Sequence, residues 1–194
     1  MWVTQQVGGY EAQDQLMEFQ IRLQTNIALT CGAHGIIYAS WSADWWDEET
    51  TCVSNDGERN PALDYVEQVN RELRNLEPQY MTYRNLCVLP LGKIEAADEY
   101  LRPQLRQLQD AAAGMEFDVC NQINVDGAIL CGCFENDFGE QAIMLTNVNS
   151  MFDDTADATV LLPFFANGWI NGTAVNDTAE LFLHPGDAAF LMIP

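Results

Sequence analysis

The sequence predicts a chain of mixed class, α/β in its first part plus all-β in its last, and three observations carry that reading. Strand-like and helix-like segments alternate up to Pro78. The alternation then stops, and from Phe117 onward short apolar runs are separated by turn residues. With 194 residues, 48% of them hydrophobic, the chain is long and apolar enough to bury a proper core.

The first run, "MWVTQQV", is short, bulky and closed by Gly8 and Gly9, which reads as a buried strand. A helix is expected from Glu11 to Cys31. Leu16, Phe19, Leu23 and Ile27 recur there every three or four residues, and Gly32 stands where a C-terminal glycine belongs. "HGIIYASW" follows as a second strand with no polar face, the pattern of a parallel strand covered on both sides. After a loop over 42–59 that contains the turn Asn55-Asp56-Gly57, Asn60 and Pro61 open a second helix as N-cap and first-turn proline. Leu63, Val66, Val69, Leu73 and Leu76 form its apolar stripe, and Glu77-Pro78 is expected to stop it.

Beyond Pro78, "YMTYRNLCVLPLG" reads as one or two connecting strands. A polar helix over 96–113 then carries Leu101, Leu105 and Leu108 on one face. The runs "FDVCNQINV", "AILCGCFE", "EQAIMLTNVN", "ATVLLPFF", "AELFLH" and "AAFLMIP" read as strands. Turns are expected at Asp126-Gly127, Asn136 to Gly139, Asn167-Gly168 and Pro185 to Asp187. This spacing predicts an antiparallel sandwich or small barrel. The implied organisation is an α/β part over 1–79, connecting strands and a helix over 80–115, and an antiparallel β-sandwich over 116–194.

The formal charge is −21, from 29 acidic against 8 basic residues. Such a surface repels phosphates and anionic lipid, so nucleic acid and membrane surfaces are excluded as partners. Neutral ligands such as carbohydrate fit it, and so does an acidic solubilising surface with no ligand. The six cysteines show no CxxC pair, and Cys131-Gly132-Cys133 is too short a spacing for a zinc knuckle. They read as buried free thiols of a reducing compartment, with no metal or cofactor expected. With no leader pattern and no apolar run of membrane-spanning length, a cytoplasmic chain is expected.

Two strand–helix units cannot close a sheet or hide its edges. The order "WVTQQVGGY", long helix, "CGAHGIIYASW", "DG" turn and "NPALDYVEQVNRELRNLEP" resembles the last two βα units of a TIM-type (β/α)8-barrel glycoside hydrolase, β-galactosidase-like and of the large retaining clan. In that family "GA-x-G-I-x-Y" marks the eighth strand. The helix after it ends in "N-x-E-L-x-x-L-x-P", matched here by Asn70, Glu72, Leu73, Leu76 and Pro78. A β-sandwich closing in "L-x-P-G-D" is common there too, and this chain has "LFLHPGDAAFLMI".

The resemblance implies a site at the C-terminal ends of the two strands. Retaining hydrolysis needs a nucleophile and an acid/base about 5 Å apart. The family's acid/base follows a fourth strand that has no counterpart here. Its nucleophilic glutamate maps onto Gln5, the better match, or Gln6. An amide cannot form the glycosyl ester, so no catalysis by this chain alone is expected. Trp41 would stack on a sugar ring, flanked by Tyr38 or Trp45, while Asp44 and Asp47 accept hydrogen bonds from sugar hydroxyls. Alternatively Trp41, Trp45 and Trp46 plug a barrel end and the acids form a solvated loop. Two other roles stand beside the hydrolase-like one: a carbohydrate-binding module without chemistry, and an assembly protein. In the last, the exposed strand edge pairs with a second copy, as a homo-oligomer, or with a missing barrel half.

Overall fold

The computed structural model describes residues 1–9, 11, 15–39, 41–42, 46–112, 117–151 and 156–194. Within them β1 (Trp2–Gln6), α1 (Glu18–Thr30), β2 (Gly35–Ala39) and α2 (Pro61–Tyr80) form the first part. β3 (Tyr83–Gly92) and α3 (Arg102–Ala111) follow, and then β4 (Asn124–Asp126), β5 (Ala128–Asn136), β6 (Gln141–Asn147), β7 (Ala158–Ile170), β8 (Thr173–Leu183) and β9 (Ala188–Met192). The class is mixed α/β with a mostly antiparallel sheet.

β1 and β2 run parallel, Gln5 opposite Tyr38, and form a two-stranded sheet of their own. Both helices cover one face of it. Val7, Ile21, Leu63, Val66 and Val69 bury together there, with Tyr38 packed against them. The remaining strands form one seven-stranded antiparallel sheet in the order β3-β5-β6-β9-β7-β4, with β8 on the far side of β7. This sheet curls. One face encloses Ile129, Ile143, Leu145, Val160, Leu181 and Leu191. The other face packs Phe134, Met144 and Phe190 against Leu29, Leu76 and Tyr80 of the helices. Burial on both faces explains why β5, β6 and β9 read as continuous apolar runs rather than alternating ones.

α1 is therefore pressed from two sides, and its buried positions differ from the expected stripe. Ile21, Thr25, Asn26, Ala28, Leu29 and Thr30 are buried, while Leu23 and Ile27 are only partly covered, beside Leu130 and Val148. The buried polar side chains are satisfied by the sheet. Asn26 donates to the Gly186 carbonyl at 2.8 Å, and the Thr30 and Thr146 hydroxyls lie 2.7 Å apart. α1 also starts later than expected, at Glu18. α2 runs past Pro78 to Tyr80 instead of stopping before it. The buried Tyr80 hydroxyl donates to the carbonyls of Leu29 and Ala33 at 2.7 and 3.0 Å, which holds that last turn in place.

Three other expectations change. β3 is an edge of the large sheet and not a connector. "FDVCNQINV" is mostly a 3₁₀ turn, Cys120–Gln122, with strand only at Asn124–Asp126. Asn167-Gly168 lies inside β7, where a Cβ on Gly168 would run into the Phe190 carbonyl of β9. The hairpin turn is the next Asn-Gly pair, Asn171-Gly172, with φ of 46° and 71°, as a two-residue type I′ loop requires.

Tyr80, Tyr83, Phe134 and Phe190 interlock edge-to-face, with Phe190 5.5 to 5.7 Å from each of the other three. Replacing Phe190 with alanine is expected to cost about 3–5 kcal/mol, measured by urea unfolding. A loss below 1 kcal/mol would mean that the helices are not docked on this sheet.

Candidate functional site

Strand alternation decides which residues at the end of the parallel pair can meet a ligand. Gln5 and Tyr38 both face the helices. The Gln5 amide nitrogen donates to the Ile21 carbonyl at 2.8 Å, and its oxygen accepts from the Thr25 hydroxyl at 2.7 Å. Tyr38 donates to Asn70 Oδ1 at 2.9 Å, and burial pushes its phenol up to about 12. Both side chains are committed to strand–helix packing. Gln6 stands on the opposite, open face, beside Ala39. Trp2 and Ile37 share that face and are 72% and 49% exposed.

Beyond the strand ends the chain is knitted by side-chain-to-backbone bonds. Thr50 Oγ1 accepts from Gly9 N at 2.8 Å, and Asp47 N donates to the Gly9 carbonyl. Asp47 caps the amide of Glu49, and Glu48 Oε1 accepts from Asn55 N at 3.0 Å. Two of the loop carboxylates thus shape turns. Trp41, 45% exposed, is anchored by its carbonyl, which accepts from Val53 N at 3.0 Å. Asp44 and Trp45 lie outside the described residues. The structure therefore leaves Gln6 on the open face of the pair and Trp41 part-exposed just past the end of β2, and assigns Gln5, Tyr38, Asp47 and Glu48 to holding the fold. A groove of about 340 Å³ runs beside β2 and α2, lined by Gly35, Ile36, Asn70, Leu73 and Tyr80.

At the far end of the chain, the Asp187 carboxylate accepts from Asn171 Nδ2 at 2.7 Å and from His184 N at 3.0 Å. The acid of the "PGD" turn is a cap. His184 lies exposed at the same turn, its Nδ1 2.7 Å from Asp157 Oδ1.

Sequence reasoning did not anticipate a second cluster, because its members come from separate segments. Cys120 Sγ lies 3.5 Å from Cys133 Sγ and 3.6 Å from Cys131 Sγ. All three thiols are buried inside the curled sheet. Hydrogen bonds from Cys131 and Cys133 hold the Cys120 thiol below the usual range, and the same contact with Cys120 pushes Cys131 and Cys133 up. The only available signal was Cys131-Gly132-Cys133, which a strand turns to one side with the glycine opposite. There a Cβ would strike the Thr30 carbonyl at the end of α1.

The hydrogen bond to Asp157 raises the His184 pKa above 6.5. The stabilisation is therefore fully present below about pH 6.5 and is lost as pH rises through the folded-state value. Asp157→Asn is expected to cost under about 1 kcal/mol near pH 5.5 and nothing near pH 9, the pair being exposed to solvent. The same loss at both pH values would assign the effect to packing. A scan against protein-family models finds no match for this chain, and a search of curated proteins finds none either.

Proposed function

We propose that this chain is a glycoside-hydrolase-related, carbohydrate-binding unit with no hydrolase activity of its own. Its first part corresponds to the last two units of a (β/α)8 barrel. The observation that carries the reading is that both helices lie on one face of the parallel pair, while the other face is open and both outer edges are unpaired among the described residues. A doubly wound sheet places helices on both faces, whereas a barrel places them only outside. The finer reading of 116–194 as the family's C-terminal sandwich rests on the same resemblance.

On this reading the sugar meets the open side at the C-terminal strand ends. Trp41 offers a flat apolar face to the C–H face of a pyranose, and the Gln6 amide, whose nitrogen donates one N–H to the Gly8 carbonyl, offers its oxygen and remaining N–H to the hydroxyls. Catalysis is not part of the proposal. The nucleophile-like position is an amide at either Gln5 or Gln6, and Gln5 is spent on α1.

The unpaired edges also favour a second reading, in which a missing barrel half or a second copy of the chain pairs along the outer edges of β1 and β2. One set of measurements separates the two. Titration with a panel of neutral oligosaccharides is expected to show binding that Trp41→Ala weakens at least about tenfold, the worth of one stacking contact. Nitrophenyl glycosides are expected to remain unhydrolysed. Absence of binding together with an oligomer that grows with concentration in sedimentation would replace the sugar reading with the assembly reading. Turnover of any glycoside would overturn the non-catalytic assignment.

A further inference from the structure

We propose that Cys87, Cys120, Cys131 and Cys133 form a zinc–thiolate site inside the curled sheet, stapling the segment before β4 to strands β3 and β5. The Sγ atoms of Cys120, Cys131 and Cys133 all lie within 4.8 Å of one another, and Cys87, on a third segment, packs against the same core cluster. A tetrahedral site with Zn–S bonds of about 2.3 Å needs sulfurs about 3.8 Å apart. Cys120 already stands 3.5 and 3.6 Å from its two buried neighbours.

The fourth ligand comes from an irregularity that a plain core does not require. Asn85 pairs with Phe134 and Cys87 with Cys133, so two steps on β3 match one on β5 and Leu86 is the extra residue of a bulge. Without that bulge, Cys87 would share the face of Asn85, whose amide nitrogen donates to the Thr30 carbonyl on the helix side. The bulge turns Cys87 to the interior instead, opposite Cys133 in register and packed against the core cluster that holds the other three thiols. Bulges re-aim side chains in this way beside functional sites.

The surroundings suit a soft thiophilic ion. Leu89, Ile129 and Ile143 belong to the same core cluster, so the thiols find their main polar partners in one another. A set of four sulfurs with no oxygen or nitrogen ligand selects zinc over harder cations. Cys131 and Cys133 are fully buried, while Cys87 on the edge strand is only partly so, which leaves a side from which the ion can enter. Binding would release the thiol protons to solvent and tie together chain that is otherwise held by a short 3₁₀ turn.

The test uses the whole chain, purified in reductant with zinc and then dialysed. About one zinc per chain is expected to remain. Cobalt substitution should give thiolate charge-transfer absorption and the intense visible bands of a tetrahedral sulfur set. Four of the six thiols should resist a thiol reagent until a chelator is added. Cys120→Ser is expected to lose the metal, while Cys31→Ser and Cys52→Ser keep it. Cys87→Ser is expected to weaken and shift the cobalt bands, because one sulfur is lost. An unchanged cobalt spectrum in Cys87→Ser would overturn the four-sulfur assignment. Metal-free protein whose thiol reactivity a chelator leaves unchanged, or a two-hydrogen mass loss marking a Cys120 disulfide, would overturn the site altogether. The cobalt spectrum and thiol count of the unaltered chain decide the matter even if a variant fails to fold.

Discussion

The structure depends on one helix serving two sheets. α1 lies between the parallel pair β1–β2 and the outer face of the curled antiparallel sheet, so neither its sides nor its C-terminal end faces water freely. A helix in that position cannot be uniformly apolar, because polar groups of both neighbours must be met. Thr25 meets Gln5 on one side, and Asn26 and Thr30 meet the Gly186 carbonyl and Thr146 on the other. An unsatisfied partner at any of these buried contacts costs about 1–3 kcal/mol, so each bond fixes orientation as well as adding stability. α2 completes the layer. Arg22 of α1 reaches Glu72 of α2 through Nε and Nη2 at 3.0 and 2.8 Å, a two-pronged pair that sets the spacing of the two helices.

The close approach of α1 has consequences along the chain. Its last carbonyls crowd β5 at Gly132, where only glycine leaves room, and that glycine separates two cysteines that therefore point the other way. The aromatic cluster of Tyr80, Tyr83, Phe134 and Phe190 fills the space beside it and extends α2 past Pro78. The same layer that binds the two sheets together leaves the far face of β1–β2 uncovered among the described residues. A functional reading of this chain has to account for that open face, with Trp2 and Ile37 exposed on it and Gln6 at its C-terminal end.

Much of this was legible in the residues. The alternation of strand and helix, the Asn60-Pro61 helix start, the stripe Leu63, Val66, Val69 and Leu76, and most strands of the large sheet follow from local pattern, which the structure keeps. What was not legible came from tertiary packing. The stripe Leu16, Phe19, Leu23 and Ile27 describes a one-sided helix, whereas α1 is covered from two sides and buries Thr25, Asn26 and Thr30 instead. Two Asn-Gly pairs compete for one hairpin turn, and the one that loses is placed inside a strand by the approach of β9. Pairing in the candidate site depended on which way β1 faces. A slip of one residue exchanges Gln5 for Gln6, and only the pairing of β1 with β2 and the helices shows that Gln5 faces inward and Gln6 outward. The thiol cluster depends on the fold bringing Cys120 over β5, which has no local signature.

The measurement that tests the shared helix layer most directly is native-state hydrogen exchange across the whole chain. The account predicts that amides of α1, β5, β6 and β9 open together, with one free energy near that of global unfolding. The outward amides of β1 and β2, which pair with no further strand among the described residues, should exchange far faster. If α1, α2, β1 and β2 instead opened as a separate, weaker unit while the antiparallel sheet stayed protected, the two sheets would not share a core, and the account would be contradicted.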